Sequence, residues 1–344
     1  MPTVSSVISD FNALSEAQQN IVKSTILSRS AAADLHKYVE ERRFINGRAC
    51  PHCGSVHVVK NGKRKDGTQR YLCRDCEKSF VITANSIAEH SRKPLGTWKQ
   101  YVNCMLLGLS LRDSAAVCGI HLSTAFLWRH KILDALRTNQ DDILLEGVIE
   151  ADETFFTLSF KGNHKRSTTF KMPRPAHKRG GTRKIRGLSH EKVCVPCAVN
   201  RDGQAFGMVS NLARVKTKGL EEVFRNHIKT GSHLVADKAS AYQRFAASNG
   251  LALTQIKSGR GATPGGYSLA RINNYHSELK RFITRFKGVS TKYLNNYLAW
   301  HGLVNYSLSK EPNKRQLLLA DTFGVPMKKR GADVPRRDPV PLLA

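Results

Sequence analysis

No stretch of this 344-residue chain approaches the roughly 18 to 20 consecutive apolar residues of a membrane span. Its first residues, MPTVSSVISDFN, also lack the charged-then-apolar layout of a secretory signal. Membrane and secreted classes are set aside on these grounds, and the expected compartment is the cytoplasm, in association with the nucleoid. Cysteine is scarce too: eight in so long a chain cannot make a disulfide scaffold. Acid is the third shortage. Asp and Glu number 27 against 55 Lys and Arg, a formal charge of +28. No single tail accounts for that excess, which predicts a polyanionic partner, with nucleic acid ahead of a membrane surface. Length does not limit the core and allows two or three domains.

Four of the eight cysteines are paired at short spacing. Cys50 and Cys53 flank two residues, Cys73 and Cys76 do the same, and 19 residues separate the pairs. Four thiolates must meet one Zn²⁺ tetrahedrally, and a two-residue gap lets each pair clamp it from one tight knuckle. A zinc ribbon is therefore expected over residues 46–82, with two strands and a basic turn between the knuckles. Lys63, Arg64 and Lys65 in that turn are candidate phosphate contacts. Ahead of the ribbon, residues 1–45 read as an amphipathic helical extension, with Ser15 as a helix cap. Residues 90–140 read as a helix-turn-helix, with a glycine turn at Gly119 and a second helix capped near Ser123. Arg129 and Lys131 would then reach DNA. Cys104 and Cys118 occupy apolar helical positions and read as core.

From about residue 146 the pattern changes to strands, GVIEADETFFTLSF, KVCVPCAVN, QAFGMVS, HLVAD and LALTQI, with helices expected at 217–228, 239–249 and 270–287. This order argues for a mixed α/β sheet over residues 146–308. A basic insertion, 160–192, interrupts it and carries Arg179, Arg183 and Lys184 as candidate DNA contacts. Cys194 and Cys197 lie in a strand without a partner pair and read as core. Residues 309–344 read as a loosely ordered basic tail.

The acids are placed pointedly. Alternation along the first strand sets Glu150 and Asp152 on one face, with Ile149, Ala151, Glu153 and Phe155 on the other. Asp237 ends another strand, where it either caps the following helix or holds a metal. In RINNYHSELKRFITRF, Glu278 lies on the edge of an apolar stripe, with Asn274, Arg281 and Arg285 extending that side toward solvent; Arg281 and Arg285 join the DNA candidates. His276 turns to the opposite edge. Carboxylates from two strands and one helix suit Mg²⁺ or Mn²⁺, and two such ions can serve a phosphodiester displacement.

The ribbon, the helix-turn-helix, EADETFF, VADKASAY and NNYHSELKRF followed by GVSTKYLNNYLAWHGLVNY resemble bacterial insertion-sequence transposases of the DDE class, in the insertion sequence 1595 group. The resemblance covers about residues 48–308. It implies a ribonuclease H-like catalytic domain, with Asp152, Asp237 and Glu278 as catalytic acids and ligands of two magnesium ions. The third position varies in that group, which keeps Asn274 and His276 beside Glu278. It further implies metal-dependent cleavage at the element's ends, attack of the freed 3′-hydroxyl on target DNA, and a homo-oligomer in the synaptic complex. Two other functions fit the same residues: a DNA-binding transcription regulator with a non-catalytic remnant domain, and a structure-specific DNA nuclease.

Overall fold

The computed structural model describes residues 4–22, 39–65, 67–138, 140–162, 187, 189–257, 261–309, 311–340 and 342. The chain divides into two compact units, Met1–Leu136 with Asn313–Pro335, and Arg137–Pro312 with Arg336–Ala344. Among the described residues no helix is long and apolar enough to cross a membrane.

In the first unit, helix α1 spans Val4–Asn12. A further helical stretch over 16–22 starts where Ser15 and Gln18 exchange hydrogen bonds, the Ser15 N–H to Gln18 Oε1 at 3.0 Å and the Gln18 N–H to Ser15 Oγ at 3.4 Å. That reciprocal pair is the expected cap. The ribbon is an antiparallel sheet of β1 (Val58–Lys63), β2 (Gln69–Cys73) and β3 (Ser79–Val81). Its hydrophobic support is small: Tyr71 stacks on Phe80 at 5.5 Å, and its hydroxyl donates to Glu40 at 2.6 Å.

Three helices follow, α2 (Leu95–Leu106), α3 (Leu111–Cys118) and α4 (Leu122–Thr138). Ser110 caps α3 by accepting the Asp113 N–H at 3.2 Å, and Gly119, at φ 57°, ends it in the left-handed conformation that glycine adopts without strain. The next helix begins at Leu122, one residue before the expected cap. Ser123 lies in its first turn, and the His121 ring takes the Ser123 N–H at 3.3 Å instead. Trp98 stacks on Trp128 at 3.7 Å and meets Phe323 edge-on at 5.8 Å. Phe323 belongs to a helix, Lys314–Gly324, in the segment expected to be a loose tail. Leu318, Leu319 and Phe323 are buried there. The basic and proline-rich surroundings hide this short apolar stripe from a compositional reading.

The second unit is built on β4 (Val148–Thr157), β5 (Lys192–Asn200), β6 (Ala205–Gly207), helix α5 (Thr217–Phe224), β7 (His233–Asp237), α6 (Ser240–Ser248), β8 (Ala252–Ile256), α7 (Ala270–Thr284) and α8 (Thr291–Gly302). A π-helical turn, Leu303–Ser307, continues α8. The sheet runs β6-β5-β4-β7-β8. Here β4, β7 and β8 are parallel and β5 is antiparallel to both β4 and β6. Counted from β4, that is the order 3-2-1-4-5 with the second strand reversed, the ribonuclease H-like arrangement. One face of the sheet buries Ile149, Ala151, Leu234 and Ala236 against Leu220, Val223 and Phe224 of α5 and Tyr242 and Phe245 of α6. The other face receives α7, so Glu150 and Asp152, pointing away from that core, look toward this helix.

Candidate active site and zinc centre

The two strands that carry the acids are adjacent and in register. Val148 pairs with His233, Ile149 with Leu234 and Glu150 with Val235. Continued by two residues, the same register sets Asp152 opposite Asp237, beyond the point where the ladder stops. Parallel strands thus deliver two carboxylates to one end of the sheet, the end where ligands of α/β folds collect.

Each acid along β4 has a different task. Glu150 is buried and its Oε2 accepts the main-chain N–H groups of Arg271 at 2.9 Å and Ile272 at 3.1 Å, at the start of α7. It holds the helix N-terminus, where backbone donors lack intrahelical partners and the dipole favours negative charge. Burial raises its pKa, opposed by those two donors. Asp152 lies between helix and sheet; burial and then the charge of Asp237 push its pKa up to about 6, opposed by the N–H of Glu153 and by Lys280. Glu153 faces the other way and accepts from the Tyr242 hydroxyl at 3.2 Å. Burial and the two aspartates push it up to about 7.

Asp237 has both of the roles foreseen for it within reach. Its Oδ1 accepts the Ala239 N–H at 2.9 Å, an Asx turn that leads into α6, while Gln255 holds its carbonyl oxygen at 2.8 Å. One carboxylate oxygen is used by the turn.

Helix α7 presents His276 to Asp152, with Nδ1 at 3.7 Å from Oδ2. That is too long for a hydrogen bond. Burial also holds the imidazole down to about 4, so at neutral pH an ionised Asp152 faces a neutral ring. Among the described residues, the His276 Nε2 atom is buried with no hydrogen-bond partner. Lys280, one turn on, bears on the same carboxylate. Glu278 is two residues from His276, roughly 200° around the helix. It accepts from Asn274 Nδ2 at 3.1 Å and from the Tyr306 hydroxyl, in the π-helical turn, at 2.7 Å. Among the described residues, the four cysteines are the only group of three or more His, Cys, Asp or Glu side chains whose ligand atoms all lie within 4.8 Å of one another.

Those cysteines have zinc geometry. Cys50 and Cys76 Sγ atoms are 3.7 Å apart, Cys53 and Cys73 3.6 Å, and all four lie within 4.8 Å of one another. Zn–S bonds of about 2.3 Å at tetrahedral angles require S···S separations of roughly 3.8 Å. Asp75 braces the two knuckles, accepting from Ser55 Oγ at 2.5 Å and contacting His57 Nδ1 at 3.0 Å.

The expected DNA contacts separate into groups. Lys63, Arg64 and Lys65 are exposed at the hairpin tip, Arg281 is exposed on α7, and Arg285 is exposed just past its end, lying over the Phe282 ring at 4.7 Å. Lys131 is half-buried, with Nζ 3.5 Å from the Ile87 carbonyl oxygen. Arg129 is 3% exposed and donates to the Leu109 carbonyl at 3.0 Å. The expectation that Arg129 meets DNA is corrected on that ground: it ties α4 to the loop after α2. Arg179, Arg183 and Lys184 lie outside the described residues. Cys104, Cys118, Cys194 and Cys197 are all buried.

Fold and site define a ribonuclease H-like α/β domain with an aspartate pair at its strand ends, preceded by a zinc ribbon. Residues 144–300 match the family of the ISXO2-like transposase domain, and residues 48–77 match the InsA N-terminal domain. Over these two segments the chain is similar to insertion-sequence transposases of the IS1595 group. It is similar to an uncharacterized protein in transposable element ISH50 of Halobacterium salinarum, 24% identical over 277 residues that cover 80% of this chain and 90% of that one. Among solved structures, a chain of the simian T-cell lymphotropic virus intasome in complex with PP2A regulatory subunit B56 gamma aligns at 11% identity and a TM-score of 0.28, covering 52% of this chain and 56% of that one. The Mos1 transposase paired-end complex with left transposon end aligns at 11% identity and a TM-score of 0.22, covering 69% and 76%.

Proposed function

We propose that this transposase binds the ends of its insertion sequence and catalyses metal-dependent DNA strand cleavage and strand transfer, as a homo-oligomer on paired ends. The observation that carries the reading is the register-matched pair Asp152 and Asp237, desolvated and repelling each other at the end of parallel strands. A carboxylate pair whose charge is held in place but uncompensated fits a divalent cation, and an oxygen donor set suits Mg²⁺ or Mn²⁺. The chemistry supplied by two bound ions is activation of the attacking oxygen and stabilisation of the leaving one.

The protein's own groups do the rest. Asp152 and Asp237 bind the cations. Glu150 fixes the height of α7 against β4, and with it what that helix shows to Asp152. Lys280, Arg281 and Arg285 offer cations to the DNA backbone. The third metal ligand comes from the helix face that meets Asp152, which carries His276 and, three residues earlier, Asn273. It does not come from Glu278, whose two oxygens serve Asn274 and Tyr306.

Glu278→Gln should therefore retain strand cleavage within a few-fold, while His276→Ala or Asn273→Ala lowers it by roughly 10²-fold, the scale of a lost active-site contact. Cleavage of labelled duplex carrying the element's end measures this. Abolition by Glu278→Gln alone would return the third ligand to that residue. If the basic excess acts by counterion release, raising salt from about 50 to about 200 mM should weaken DNA binding by roughly 10³-fold for about six neutralised phosphates. A flat salt dependence in a fluorescence-anisotropy titration would remove phosphate contact from the reading.

A further inference from the structure

The first unit holds a cavity of about 430 Å³ that the cleavage chemistry does not use. Its walls come from four places: the segment Ile87–Lys93 that leaves the ribbon, Trp98 of α2, the turn Gly119–His121 between α3 and α4, and the α4 face bearing Thr124, Trp128 and Lys131. Two characters are segregated in it. Ile87, Ile120 and the edges of the stacked Trp98 and Trp128 rings make an apolar wall. Arg92, Lys93 and Lys131 supply three cations.

The cations are set into the fold to different degrees. Lys93 Nζ donates to the Gly119 carbonyl at 3.1 Å, pinned to the turn. The Trp98 indole donates to Ser91 at 3.0 Å and fixes the segment between them. Burial holds Lys131 below the ordinary lysine range, a cost that an anion beside it would offset. Arg92 is exposed and, among the described residues, has no hydrogen-bond or ion-pair partner. The one acid of the lining, Glu89, is occupied by Lys328 at 3.5 Å. A bare phosphate would leave most of this volume empty and the apolar wall uncovered. A planar base with its phosphate satisfies both characters, since aromatic and apolar faces hold bases of any identity while cations hold the backbone.

We propose that this cavity receives one unpaired nucleotide of the DNA, with the base against Ile87, Ile120 and Trp128 and the phosphate on Arg92, Lys93 and Lys131. The proposal deepens the transposase reading and rests on it: the site would grip one strand of the bound DNA by an unpaired nucleotide. Three tryptophans are present in the chain, and two of them, Trp98 and Trp128, line the cavity, so intrinsic fluorescence reports its occupation. The test titrates full-length Asp152→Asn protein, which excludes cleavage of the probe, with oligodeoxythymidylate of about ten nucleotides.

A saturable change in tryptophan emission is expected. Arg92→Ala, at an exposed position, and Thr124→Tyr, which fills the cavity without changing charge, should each raise the dissociation constant by at least roughly tenfold. Millimolar inorganic phosphate should neither reproduce the change nor compete. Unaltered binding in both variants, a silent emission signal, or full competition by phosphate would overturn the proposal. Failure of the transposase reading shows separately, as wild-type protein without Mg²⁺-dependent cleavage of duplex DNA.

Discussion

Asp152→Asn is expected to abolish strand cleavage and strand transfer while leaving DNA binding intact. The loss should be at least roughly 10²- to 10³-fold, the range for removing one contact made to a developing charge. Asparagine keeps the size of the side chain but cannot balance the charge of a divalent ion. A second readout follows from the same carboxylate. In the fold its pKa is raised from the ordinary aspartate value of 3.8 to about 6. A raised folded pKa means that the group's contribution is fully present below the unfolded pKa and is lost as pH rises through the folded one. In chelator-treated protein, Asp152→Asn should therefore be more stable than wild type at pH 7, by up to about 3 kcal/mol for a shift of about two units. The side chain is 24% exposed, which trims that figure. The advantage should shrink as pH falls from about 6 toward 4. Urea unfolding at several pH values reads it, and added Mg²⁺ should narrow the gap by binding wild type alone. A variant that cleaves like wild type would end the catalytic assignment of Asp152. A variant that is inactive and also less stable at pH 7 would show that Asp152 holds the fold rather than a cation.

Period-two alternation separated Ile149 and Ala151 from Glu150 and Asp152, because a half-buried strand has no other way to bury its apolar residues. The strands and helices of the second unit follow the apolar pattern closely; α7 and its stripe of Ile272, Tyr275, Leu279, Phe282 and Ile283 are an example. What pattern could not supply was the direction in which each helix faces its neighbours. Glu278 has the right chemistry on the edge of the stripe, and His276 lies on the other edge. Which edge meets Asp152 depends on how α7 docks, and Glu150 sets that from 121 residues away in sequence. The Arg129 side chain shows the same limit. A cation on an amphipathic helix reads as solvent-facing, yet Arg129 is buried and spends its guanidinium on the Leu109 carbonyl. Asp75 escaped notice because its partners, Ser55 and His57, belong to the opposite knuckle. The cysteine spacing needed no such help, since two knuckles and one metal leave little freedom.

Removal of zinc is expected to unfold the ribbon and leave the second unit's sheet intact. The apolar side chains that strands β1 to β3 bury are Val58, Tyr71, Phe80 and Val81, too few for so short a segment to order itself. In such modules the metal's binding energy is the folding energy, about 10 to 16 kcal/mol for structural zinc at neutral pH. Thiolates held within 4.8 Å of one another without a cation would repel, so the knuckles should open once it leaves. The N–H groups of Cys76 and Asp75 favour the charged form of Cys73, the form that binds a metal. Zinc release should grow as the solution is made acidic, because protons compete with the metal for the sulfurs. Freshly purified protein should carry one zinc per chain by elemental analysis. Cys50→Ser should lose it, together with hydrogen-exchange protection over residues 58–81, while protection in β4, β5 and β7 persists. Absence of zinc from the purified protein, or a ribbon that stays protected in Cys50→Ser, would show that the four cysteines hold their geometry by packing alone.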